Sequence, residues 1–103
     1  MSEINDMIEA ADLKAPRLTP EHIESVIEHV EFIQAEGTLT LCIMTLRNGF
    51  KVVGKSAAAS FENYRQEIGE AVARKDAANQ IWALEGYLLR ERLYREELAK
   101  TTE

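Results

Sequence analysis

Three bases and no acid lie between Gly37 and Ser60 of a chain whose formal net charge is −6. They are Arg47, Lys51 and Lys55, spaced at four-residue steps through TLRNGFKVVGK. Guanidinium and ammonium groups so placed can hold an anion by charge-assisted hydrogen bonds. Arg65 and Arg74 follow in a helical region, and Phe61 and Tyr64 offer rings on which a base can stack. These seven residues are the candidate ligand site, for a small anionic ligand of nucleotide type. Lys51 and Lys55 share one strand face while Arg47 takes the other near the turn, and in an oligomer copies of the two lysines could converge with Arg65 or Arg74. The plainer reading is that the three hairpin bases keep an exposed sheet edge soluble.

Other chemistry is poorly supported. His22 and His29 are seven apart on an expected helix, about two turns, whereas a shared metal wants a spacing of three or four. Cys42 is the single cysteine, which excludes an intrachain disulfide and a multi-cysteine zinc site. It falls mid-strand with no histidine nearby, as a buried structural cysteine does. GxSxG, HExxH and GxxxxGK[ST] are absent. The acids sit at solvated helix spacings and form no catalytic pair. The expectation is a protein without cofactor, metal or enzymatic activity.

The charge is uneven. Residues 1–36 carry −7, residues 37–60 carry +3 and residues 61–103 carry −2. An acidic balance argues against DNA or an anionic lipid surface as partner. No apolar run approaches the ~20 residues of a membrane span, and the N-terminus lacks the basic and apolar regions of a signal peptide. With one cysteine, a cytosolic compartment is expected.

The elements that must position these residues can be read in order. Residues 1–17 form a weak segment that Pro16 would end. Thr19-Pro20-Glu21 starts a helix, with Thr19 as cap and Pro20 in the first turn. Ile23, Val26, Ile27 and Val30 give that helix an apolar face through about His29. A short strand near Val30–Ile33 and a turn at 35–37 lead into a hairpin, Thr38–Arg47 and Phe50–Lys55, closed at Asn48-Gly49. A two-residue loop would pair Arg47 with Phe50, Thr45 with Val52 and Met44 with Val53. One face then carries Leu39, Leu41, Ile43, Thr45, Phe50 and Val52. The other carries Cys42, Met44, Leu46 and Val53, edged by Lys51 and Lys55. Both faces are apolar enough to need a cover, one from the C-terminal helices and one from the N-terminal segment or a second subunit.

Ser60 looks like the next cap. Tyr64, Ile68, Val72, Ala78, Ile81, Trp82, Leu88, Leu89 and Leu93 recur at helical steps from there to about Leu98. A short helix over 61–68 and a long one over 69–97, bent near Gly86, is expected. Residues 90–100 alternate in charge and read as a solvated end, with 99–103 a tail. IWALEGYLL is apolar on more than one face, so Trp82 and Tyr87 are candidate interface anchors, together with Cys42, Met44 and Leu46 of the hairpin. The fold class is α+β: a small antiparallel sheet of about three strands with an N-terminal helix and a long C-terminal helix or helical hairpin. Residues 18–98 make one domain.

LTPEHIESVI, TLRNGFKVVG, EIG at 67–69 and IWALEGYLL together resemble a small tailed-phage family labelled gene 49/gene 66-like, over roughly residues 18–93. The family often has proline where this chain has Ala83. The resemblance implies a phage or prophage origin, acting inside an infected or lysogenic host cell, and implies no catalytic residues. By analogy of scale alone, small homo-oligomeric phage proteins that sequester nucleotide immune signals suggest an anti-defence sponge. The alternatives are a module that inhibits a host defence protein through the acidic 20–31 region, and an enzyme acting on nucleotides.

Overall fold

The computed structural model describes residues 16–101. The segment expected to be weak, residues 1–17, therefore lies almost wholly outside the described residues. Helix α1 spans Pro20–Ser25. Strands β1 (Ile27–Glu36), β2 (Leu39–Leu46) and β3 (Lys51–Ala57) form one antiparallel sheet in the order β1-β2-β3. A single 3-10 turn at Phe61–Asn63 precedes helix α2, Gln66–Thr101. The α+β class, the hairpin and the long C-terminal helix are as the sequence implies.

Helix α1 starts as expected. Thr19 accepts a hydrogen bond from the His22 amide at 3.1 Å, and Pro20 fills the first turn, where its missing N–H costs nothing. It ends four residues earlier than the periodicity suggests. Ile27 and Val30 belong to β1, where β-branched side chains pack well on a pleated surface. His22 and His29 therefore sit on different elements.

The hairpin loop has three residues, not two. The Gly49 amide donates to Leu46 O and the Leu46 amide to Phe50 O, each at 2.8 Å. Gly49 takes φ +90°, the left-handed conformation that closes a type I turn with a bulge. The Asn48 side chain accepts from the Phe50 amide at 3.0 Å. Thr45 consequently pairs with Lys51, Met44 with Val52 and Ile43 with Val53. A one-residue shift exchanges the two faces of a strand. Val52 is buried and Val53 is exposed, and Lys51 and Lys55 share the outer face with Leu41 and Ile43. Phe50, expected on a packed face, is 55% exposed.

The core lies between the inner sheet face and the two helices. Ile23 and Val26 meet Cys42, Met44, Leu46 and Val52 from the sheet and Ala73, Ala77 and Ile81 from α2. Cys42, Met44 and Leu46, assigned above to a subunit interface, are thus core residues of one chain, covered by its own helices. Burial pushes the Cys42 thiol upward in pKa, against a weaker pull from Arg74, which disfavours the reactive thiolate.

Helix α2 is unbroken over 36 residues. The expected break at Gly69 is absent because that glycine faces Thr40 at close range, a packing role and not a hinge. Gly86 is passed without interruption too. The chain from Phe61 to Asn63 makes only one turn, Ser60 gives no side-chain cap, and an extended Tyr64 separates it from α2. Buried positions on α2 stop at Glu85. About 16 residues, or ~24 Å at 1.5 Å per residue, continue past the last buried one. The molecule measures 63 × 33 × 20 Å accordingly.

Candidate binding site

The free edge of β3 is met by side chains of α2. Asp76 accepts a hydrogen bond from the Lys55 amide at 2.9 Å, and Gln80 donates to the Val53 carbonyl. These two residues are one helical turn apart, so a single helix face satisfies both backbone groups. The edge is blunted against pairing with another strand.

Nearer the hairpin turn, β3 and α2 border a groove of about 750 Å³. Its apolar lining includes Phe50, Val53, Leu84, Tyr87 and Leu88, with Lys51 and Gln80 as polar neighbours. Concave, mostly apolar surfaces with a few placed polar groups are how proteins seat small ligands. Phe50 and Tyr87 are 55% and 71% exposed, so ring surface is available. Lys51 Nζ donates to Thr45 Oγ1 at 2.8 Å and remains solvent-facing. Glu85 also lines the groove, 9% exposed, with its carboxylate 2.7 Å from His22 Nε2, which donates to it.

The seven expected ligand residues are not brought together within one chain. Lys51 lies at the groove and Arg47 at the adjacent turn. Lys55 is four residues along β3, exposed on the outer sheet face. Phe61, Tyr64 and Arg65 stand at the opposite end of the sheet. There Tyr64 Oη lies 3.3 Å from Thr40 Oγ1, and Arg65 donates to the Glu62 and Tyr64 carbonyls. Phe61 is 71% exposed. Arg74 is engaged elsewhere, donating from both Nη atoms to Glu24 of α1 at 3.2 and 2.9 Å. Phe50, Gln80, Leu84 and Leu88 line the groove, although the sequence marks none of them as a ligand residue. Among the interface candidates, Tyr87 is exposed and Trp82 is half-buried against the core.

The Glu24–Arg74 pair ties α1 to α2 and has a readable pH signature. Hydrogen bonds from Arg74 hold the Glu24 carboxyl below its ordinary 4.5, outweighing its partial burial. A carboxyl lowered in the folded state contributes stability above its unfolded value and loses it as pH falls through the folded one. Both partners are well exposed, so the contribution is about 0.5–1 kcal/mol. Replacing Arg74 by methionine should remove that amount at pH 7 and flatten the stability curve below about pH 4.5. Urea titrations between pH 3 and 7 measure both effects, and an unchanged slope would contradict the assignment.

The outer sheet face is also apolar at its centre. Leu39, Leu41 and Ile43 of β2 are half-exposed there, with Ile33 and Val53 beside them and Lys51 and Lys55 along one side. Among the described residues, no helix is long and apolar enough to cross a membrane and no cluster of His, Cys, Asp and Glu could hold a metal.

No curated protein and no solved structure matches the chain. A family model does, over residues 18–93, which takes in α1, the whole sheet, the groove and α2 as far as Leu93. The chain belongs to the phage protein (N4 Gp49/phage Sf6 gene 66) family.

Proposed function

We propose that this phage protein binds and sequesters a small anionic ligand, without converting it, as a homo-oligomer. The ligand class is a nucleotide-derived host immune signal. The observation that carries this reading is the groove between β3 and α2. It joins exposed aromatic surface from Phe50 and Tyr87 to the cationic Lys51, inside an otherwise acidic chain. A base can lie against the rings while a phosphate reaches Lys51. Arg47 at the turn and Lys55 farther along β3 extend the positive potential on either side. Phe61, Tyr64 and Arg65 lie too far along the sheet to serve the same ligand in one chain, and enter the site only from another copy.

A native mass spectrum tests the reading directly. The purified protein is sprayed alone and with a pool of cyclic dinucleotides, cyclic trinucleotides and ADP-ribose-derived signals. An assembly that gains one defined mass per site, recovered intact on denaturation, is expected. No gain in mass would overturn the proposal and turn the search to a host protein partner. A ligand recovered in altered form would make the protein an enzyme. Once a ligand is found, replacing Lys51 and Lys55 together by glutamate should weaken it by about 10-fold or more, since hydrogen bonds to charged groups contribute ~1.5–3 kcal/mol. Isothermal titration reads this, and unchanged affinity would remove the two lysines from the site.

A further inference from the structure

The half of α2 beyond the sheet carries a stripe that is apolar but for one carboxylate, anchored on the core at Leu84 and exposed from Tyr87 onward. Leu84, Tyr87, Glu91, Tyr94 and Leu98 follow one another at steps of three, four, three and four. That is the a/d spacing of a coiled-coil seam. Tyr87, Tyr94 and Leu98 are 71%, 49% and 45% exposed. The opposite side of the same segment is in use, because Pro16 and Leu18 lie beside Leu89 and Arg92 there. An isolated helical extension of about 16 residues is marginal in water, and packing of an apolar stripe is what ordinarily stabilises one.

We infer that the stripe docks against the same stripe of a second copy, with the two α2 helices antiparallel. The register follows from the side chains. In antiparallel pairing each a position meets a d position. Tyr87 then faces Leu98 of the second copy, Glu91 faces Tyr94, and both contacts repeat across the two-fold axis. The flanking positions agree in charge. Arg90 and Glu97 occupy the same flank of the seam, seven residues apart, and within one chain they are bonded at 3.0 Å across two turns. In the antiparallel register Arg90 of each copy lies opposite Glu97 of the other, whereas in a parallel pair this flank would meet the other flank of the second helix and set Arg90 against Arg95. Leu98 of the second copy arrives beside Tyr87 and Leu88, at the mouth of the β3–α2 groove. The second copy thereby closes a groove that one chain leaves open. This rests on the homo-oligomeric part of the functional reading and is independent of any ligand.

The test uses the full chain without ligand, in a sedimentation experiment over a range of concentrations. Arg90→Glu makes this flank wholly acidic and Glu97→Arg makes it wholly basic. Each variant alone should dissociate more readily, with the dimer dissociation constant raised on the order of 10-fold. Mixing the two variants should restore association, now as a heterodimer, because every cross-pair is again of opposite sign. The intrachain Arg90–Glu97 bond is lost in both variants whether mixed or not, so recovery on mixing reports only the contact between copies. Circular dichroism establishes that each variant stays helical. Should either fail to fold, Tyr87→Cys with Leu98→Cys is the second probe, expected to give a covalent dimer on oxidation.

A monomeric wild type, an assembly indifferent to both charge reversals, or no recovery on mixing would overturn the pairing. So would the absence of a cross-link, where that probe is needed. A monomer that still gained ligand mass would leave the binding proposal standing while removing this one. An intact dimer that bound none of the signals would do the reverse.

Discussion

Gly54→Ala should destabilise the protein by about 3 kcal/mol or more, and Gly54→Val should leave little folded protein. A Cβ at this position would overlap the Ala73 carbonyl oxygen and the Ala77 amide nitrogen, both backbone atoms, and would lie 2.9 Å from the Ala77 Cβ. Backbone cannot rotate aside as a side chain can. The sheet and α2 would have to separate, and Ala73, Ala77 and Ile81 are all buried in the contact that would open. Overpacking a core typically costs 1–3 kcal/mol where neighbours can adjust, and here they cannot. In an open strand the same change would gain roughly 0.5–1 kcal/mol, because alanine loses less backbone entropy than glycine. Thermal and urea melts of the alanine variant decide the sign. Stability equal to wild type would mean that β3 and α2 are not in the contact described.

The contact between Gly54 and α2 also explains why the hairpin register resisted a local reading. Asn48-Gly49 marks a reversal strongly, but it suits a two-residue loop as well as a three-residue loop with glycine in the left-handed position. What separates them is tertiary. In the observed register Val52 and Gly54 face inward beneath the helix and Lys51, Val53 and Lys55 face out. The alternative would send Lys51, Val53 and Lys55 inward, toward the backbone that Gly54 now admits. Two adjacent valines gave no alternation from which to choose, and the one informative residue was a glycine, whose role is visible only against its neighbour.

Where the pattern was long and its partner local, the sequence was readable. Thr19-Pro20 at the start of α1 is determined by the first turn itself. The helical character of residues 66–98 likewise follows from three- and four-residue recurrence. Its length was harder to see, since Gly69 and Gly86 look like breaks to a reader who cannot see Thr40 opposite the first of them. The groove was out of reach for a related reason. Phe50 and Leu84 are 34 positions apart and neither is unusual alone. Tyr94 and Leu98 were hidden by their company, because alternating charges from Arg90 to Lys100 read as solvent-facing until the stripe beneath them is traced from Leu84.

Ile81→Ala should cost about 3–4 kcal/mol, the second of the large effects. Ile81 is fully buried and is among the largest wholly enclosed side chains. It is the last apolar side chain of α2 that is completely enclosed, in the core cluster with Ile23 and Val26 of the N-terminal layer and Met44 of the sheet. Truncation removes three carbons and leaves a cavity lined by elements that are each held elsewhere, so collapse is limited. Large-to-small changes of this kind cost ~2–5 kcal/mol, with the upper range where the site cannot relax. Val72→Ala on the same helix is the control. Val72 is 49% exposed, and alanine is the better helix former, so that change should stay within about 0.5 kcal/mol of wild type. Chemical denaturation of the two variants side by side measures which face of α2 is packed. If they lost equal stability, α2 would not present Ile81 to the core as described. If Ile81→Ala alone lost it, the face of α2 that carries Ala73, Ala77 and Ile81 would be the one that folds the chain, and the side of Val72 would be left open for other contacts.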